Sequence, residues 1–150
     1  MGKVKIKEYA TAIYQNAMVG KQSCSDIMDK CENDELKIEL QREYDLFDSV
    51  CDDIERFAKS NKFELQDNNF FEKARLWTSI NMSTLFNKTP RHIAELMLLG
   101  TTMGLTTIYK DRYDYKNLSQ ELNKYSENLE SIMEKNFNNL KEFLKICNCD

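Results

Sequence analysis

From Ile6 to Cys31, apolar or small side chains return every third or fourth residue: Ile6, Ala10, Ile13, Ala17, Gly20, Cys24, Ile27 and Cys31. That is the helical period. Held from about Val4 to Cys31, it predicts one continuous helix of nearly 28 residues, about 40 Å long, with a single buried stripe.

Later segments supply stripes to match it. Asn33 or Asp34 breaks the first helix and caps a second, whose seam runs through Leu36, Leu40, Phe47, Val50, Ile54 and Phe57 to about Ser60. So short a break predicts an antiparallel hairpin. Asn61 to Asn69 is polar and reads as a connection. Phe70, Ala74, Trp77, Ile80 and Thr84 then suggest a shorter helix ending near Asn87. Thr89 as cap and Pro90 at the first helical position mark the start of a long helix that runs to about Tyr113. Its middle, Leu96 to Leu105, is apolar on nearly every side, with Gly100 and Gly104 four apart, so other helices or a second subunit must cover it. Lys110 to Lys116 is the expected turn, and Asn117 with Gln120 can form a capping box for the last helix. Leu118, Leu122, Tyr125, Leu129, Ile132, Asn136, Leu140 and Phe143 line that helix, before a tail from Cys147 to Asp150. The reading is all-α: one domain, residues 1–150, of four long helices with a shorter one in the middle connection. Either up-down-up-down or up-down-down-up topology accommodates it.

Composition agrees. One Pro and four Gly leave little for the turns of an all-β fold, and 41% apolar with 31% charged residues excludes disordered, collagen-like and low-complexity chains. A formal charge of -4 argues against a dedicated nucleic-acid or anionic-membrane binder. Lys3, Lys5 and Lys7 have no apolar run behind them, so no signal peptide is expected. Ile93 to Ile108 is too short to span a membrane and contains Glu95 and four Thr. The expected location is the cytoplasm, with five cysteines (Cys24, Cys31, Cys51, Cys147, Cys149) as reduced thiols.

Two long helices as a hairpin, a long middle connection and two more long helices resemble the ferritin-like superfamily. From roughly Tyr9 to Leu144 the layout is similar to small uncharacterised ferritin-like proteins of bacteria. The resemblance implies two iron or manganese ions between the helices, held by a Glu from two helices and a Glu-x-x-His from each of the others. This chain departs from that set. His92 is its lone histidine and stands near a helix start; the last helix offers Glu130-x-x-Met133, the second Glu39-x-x-Arg42 followed by Glu43, and the first Gln22. The resemblance therefore implies the fold with a degenerate di-metal site.

Among single residues, Glu43 is the most informative, because it fills the seam position between Leu40 and Phe47. An unpaired carboxylate there would cost several kcal/mol (order of magnitude) or take up a proton. The expectation is that it leans to the seam edge and pairs with Arg42, Lys21 or another cation. Glu95 is expected to pair with Arg91 four residues earlier, and His92 to be structural or on the surface. Cys24 and Cys31 lie about 10 Å apart along one helix face, too far for a disulfide, and read as core thiols. Cys147-x-Cys149 is half of a zinc site at most. No catalytic, cofactor-binding or metal-binding residue is assigned, and no cofactor is expected.

Two functions remain. The leading one is a non-enzymatic bundle that works by self-association or by binding a protein partner, as a homodimer that touches neither nucleic acid nor membrane. The other is a divergent iron, manganese or oxygen-reactive protein with a carboxylate-only site drawn from Glu43, Glu95 and Glu130, with Glu39 as a further candidate. In the dimer, the apolar face from Ile93 to Ile108 is the contact; otherwise the segment from Phe70 to Thr84 covers it.

Overall fold

The first seam forms the helix its period requires. In the computed structural model, which describes residues 2–65 and 87–146, helix α1 spans Gly2–Met28 and buries Tyr9, Ala10, Ile13, Ala17, Cys24 and Ile27. It stops one turn before Cys31, where the Lys30 and Cys31 amides donate to Ile27 and Met28 in a closing turn. Cys31 is nevertheless buried. Helix α2, Asp34–Ser60, begins on Asn33, whose side chain accepts from the Leu36 amide at 2.9 Å. Asp34 and Glu35 then place negative charge in the first turn, against the positive end of the helix dipole.

Helix α3, Pro90–Asp114, starts as the Thr89-Pro90 pair predicts, the Thr89 hydroxyl accepting from His92 N at 3.3 Å. Helix α4, Gln120–Phe143, is capped differently from expectation. Asn117 sits at φ 63, in the left-handed region that Asn tolerates, and serves the turn instead. Ser119 is the cap and accepts from Leu122 N at 3.2 Å. The expected short helix from Phe70 to Asn87 lies almost wholly outside the described residues.

Cross-helix contacts decide the topology. Gly20 meets Phe47 and Tyr14 meets Glu55, so α1 and α2 are antiparallel. Arg112 meets Glu130 while Gly104 meets Met133, so α3 and α4 are antiparallel. Asn16 reaches Gly104 and Tyr9 stacks on Tyr115, which sets α3 antiparallel to α1. Arg42 reaches Asn136 and Phe57 reaches Tyr125, which sets α4 antiparallel to α2. The order is up-down-down-up, with α1 beside α2 and α3, and α4 beside α2 and α3. The end of α2 and the start of α3 therefore lie at opposite ends of the bundle. The core is a continuous apolar column from Tyr9 and Leu122 at one end to Leu36, Ile93 and Leu140 at the other.

Candidate binding groove and its buried carboxyl pair

Helical register, not charge pairing, decides where Glu43 goes. Its place in the α2 seam turns it inward, where it is 1% exposed. Arg42 is its sequence neighbour, but successive helical side chains point about 100° apart and do not face each other. The guanidinium instead reaches back one turn to Glu39, Nε to Oε1 at 3.1 Å and Nη2 to Oε2 at 2.7 Å. Nη2 also donates to Asn136 Oδ1 on α4 at 2.7 Å, and Asn139 Nδ2 donates to Glu39 Oε1 at 3.1 Å. Lys21 is held by Asp48 at 2.7 Å. The expectation that Glu43 leans outward to a cation is thus corrected.

Burial, and then a hydrogen bond and charge repulsion from Glu39, push the Glu43 carboxyl up to about 10, with Arg42 opposing. At neutral pH it is an uncharged acid that donates to Glu39. Burial also works to raise Glu39, but hydrogen bonds from Arg42 and Glu43 outweigh it and hold Glu39 below the usual carboxylate range. One proton thus sits on the pair. Glu43 Oε2 and Asn136 Nδ2 are buried without a hydrogen-bond partner among the described residues.

Glu43 forms part of the floor of a groove of about 330 Å³ between α1 and α3. Asn16, Val19, Gly20 and Ser23 make the α1 wall, and Leu96, Met97, Gly100, Thr101, Met103, Gly104 and Thr107 the α3 wall. Phe47 and Met133 complete the base. The volume is that of a small-molecule site, and its lining is mainly apolar. Two glycines shape it by absence. A Cβ on Gly20 would stand 2.6 Å from the Phe47 ring, and one on Gly104 2.7 Å from the Met133 methyl. Asn16 Nδ2 donates to the Gly104 carbonyl at 3.1 Å, tying the walls together.

The four candidate carboxylates are not brought to one place. Glu95 is exposed on α3, 3.9 Å from Arg91 as its spacing predicts, and 3.5 Å from His92 Nδ1. Glu130 is bound by Arg112 at 2.5 Å, which keeps its carboxyl low. Arg112 also donates to Ser126 at 3.2 Å, and next to this cluster the Tyr9 hydroxyl donates to Asn123 at 2.7 Å. Only Glu39 and Glu43 are neighbours. Among the described residues no group of three His, Cys, Asp or Glu side chains could hold a metal ion. Gln22 donates to Asp26 at 2.8 Å on its own helix. Cys24, Cys31 and Cys51 are buried free thiols. Burial drives Cys24 well above the ordinary thiol range and Cys51 up to about 12. Cys147-x-Cys149 lies outside the described residues.

Sequence reasoning missed Asn136 as the second partner of Arg42, and Gly20 as the seat of Phe47. The signal for Asn136 was present, since it interrupts the α4 seam as Glu43 interrupts that of α2. Among the described residues no helix is long and apolar enough to cross a membrane. Comparison with protein-family models, with curated proteins and with solved structures finds no match to this chain. A function has to come from the groove and the exposed faces themselves.

Proposed function

We propose that this bundle is a non-enzymatic protein that works by association, pairing with a second copy across the outer face of α3. The observation that carries this is the 14-residue run from Leu96 to Tyr109, which has no charged residue. Leu99 is 53% exposed and Met103 51%, with Tyr109 and Tyr113 exposed further along. The threonines between them add little polarity. Thr102 and Thr106 donate their hydroxyls to the Leu98 and Thr102 carbonyls, each at 2.9 Å, so those donors are already used within the helix. Such a stripe is complementary to itself, and a twofold axis along it closes the assembly at two chains.

The up-down-down-up order of the helices supports kinship with ferritin-like bundles. Arg42 and Arg112 neutralise Glu39 and Glu130, acidic residues that a metal-binding relative could use as ligands. Buried reduced thiols suit a cytoplasmic setting.

Light scattering at about 5 and about 100 µM, in low and high salt, tests the pairing. The expected mass is twice the 17.7 kDa of one chain in every condition. Apolar contact is not screened by salt, so high salt should not weaken it. Leu99→Glu should shift the mass toward one chain. A native protein that stays at 17.7 kDa at the higher concentration overturns the reading.

A further inference from the structure

Apart from Ser23, the polar side chains that line the groove have their donors engaged. Asn16 uses its Nδ2 on the Gly104 carbonyl at 3.1 Å. Thr101 donates to the Met97 carbonyl at 2.7 Å, and Thr107 to that of Met103 at 3.0 Å. The proton on Glu43 is directed at Glu39. The protein therefore satisfies these donors internally and leaves the amide oxygen, the hydroxyl lone pairs and a carboxyl oxygen as acceptors. One of these acceptors, Glu43 Oε2, is buried with no partner among the described residues. Glu43 lines the groove, and a buried acceptor without a partner carries a standing desolvation penalty that a donor reaching it relieves.

We propose that the groove binds a neutral, largely hydrocarbon molecule carrying one hydroxyl group, which donates to the carboxyl of Glu43. At ~30 Å³ per non-hydrogen atom in a liquid, the 330 Å³ groove admits on the order of ten such atoms. Met97, Met103 and Met133 line it with flexible thioethers that adapt to an unbranched or a ring-shaped body. Charge complementarity selects a neutral head. No Lys or Arg lines the groove among the described residues. The charged and titratable groups acting on Glu43 are Glu39 and Arg42 on its own helix and Cys24 on α1. The α3 and α4 residues that line the groove, Met97, Thr101 and Met133 among them, carry no charge. A cation would have to drive the proton off Glu43 beside a fixed Arg42; a hydroxyl requires no change of charge. This site uses the α1-facing flank of α3 and the proposed pairing its outer flank, with Met103 at the rim between them; Leu99→Glu, which leaves the groove lining untouched, tests the pairing separately.

The test compares 1-octanol with heptyl methyl ether, its isomer without a donor, by calorimetric titration of the full chain. Octanol should bind saturably and more tightly than the ether by about fivefold, the worth of one net hydrogen bond. Glu43→Gln keeps a carbonyl acceptor and an N–H for Glu39, so it should keep the preference. Glu43→Leu should bring the ratio to about one while both probes still bind. The native chain alone suffices to overturn the proposal: equal affinity for the isomers, or no saturable octanol binding up to its solubility. Tighter binding of octylamine with release of a proton would overturn the neutral head.

Discussion

Exchanging Glu43 for Gln isolates the energetic consequence of holding a proton inside the bundle. The carboxyl is pushed up to about 10 in the folded protein, first by burial and then by Glu39, against about 4.3 in an unfolded chain. Between those values the folded state keeps a proton that the unfolded state has released. Stability therefore falls with rising pH, by about 1.4 kcal/mol per unit for this one group. The contribution is fully present below about pH 4 and is lost as pH rises toward 10. By pH 7 about 4 kcal/mol is gone. Gln titrates in neither state, and its amide can replace both the donated hydrogen bond and the carbonyl oxygen. The variant should match the native chain near pH 4, exceed it by about 4 kcal/mol at pH 7, and widen the gap toward pH 9. Glu39 works in the opposite sense: its lowered value gives stability that is present above about pH 4.3 and lost as pH falls, so the comparison is best made above about pH 5. Urea unfolding followed by far-UV circular dichroism at about pH 5, 7 and 8.5 measures the gap. Parallel stability curves for the two proteins would refute the reasoning, because they would mean that Glu43 ionises alike in both states.

The two glycines that shape the groove should respond differently to alanine. Gly20→Ala sets a methyl 2.6 Å from a packed aromatic ring and should lower stability by about 1 kcal/mol, even after the gain in helix propensity; an unchanged or raised Tm would contradict the packing. Gly104→Ala meets chiefly the tip of the flexible Met133 side chain and should stay within about 0.5 kcal/mol of native. Arg42→Met removes the partner of Glu39 and should cost about 2 kcal/mol at pH 7, discounted because the guanidinium is about a third exposed; the loss should shrink once acid protonates Glu39, and a loss independent of pH would tell against the ion pair. In the native protein near pH 8, iodoacetamide should leave Cys24 and Cys51 unmodified, since burial keeps both as thiols. Peptide mapping that finds either one alkylated within minutes would contradict their burial.

Much of this fold is written in local periodicity. The seams of α1, α2 and α4, the Thr89-Pro90 start of α3 and the Arg91–Glu95 pair all follow from residues within a few turns of one another. Local geometry acts there without help from the rest of the chain. Asn117 shows the margin of that reading, because two polar residues near a helix start compete, and backbone conformation gives the turn to one and the cap to Ser119. The groove is of another kind. Whether α3 runs up or down beside α1 depends on a crossover whose direction no local pattern encodes. Glu43 could be recognised as a polar residue in an apolar seam, but not as an uncharged one. Its state depends on Arg42 turning to Glu39, and on Asn136, 94 positions away, holding that guanidinium. Likewise Gly20 reads as one more small residue in a stripe until Phe47 lies on it. Periodicity is a property of one helix and survives in the string. Charge state and cavity shape are properties of three or four helices at once, and exist only after they have packed.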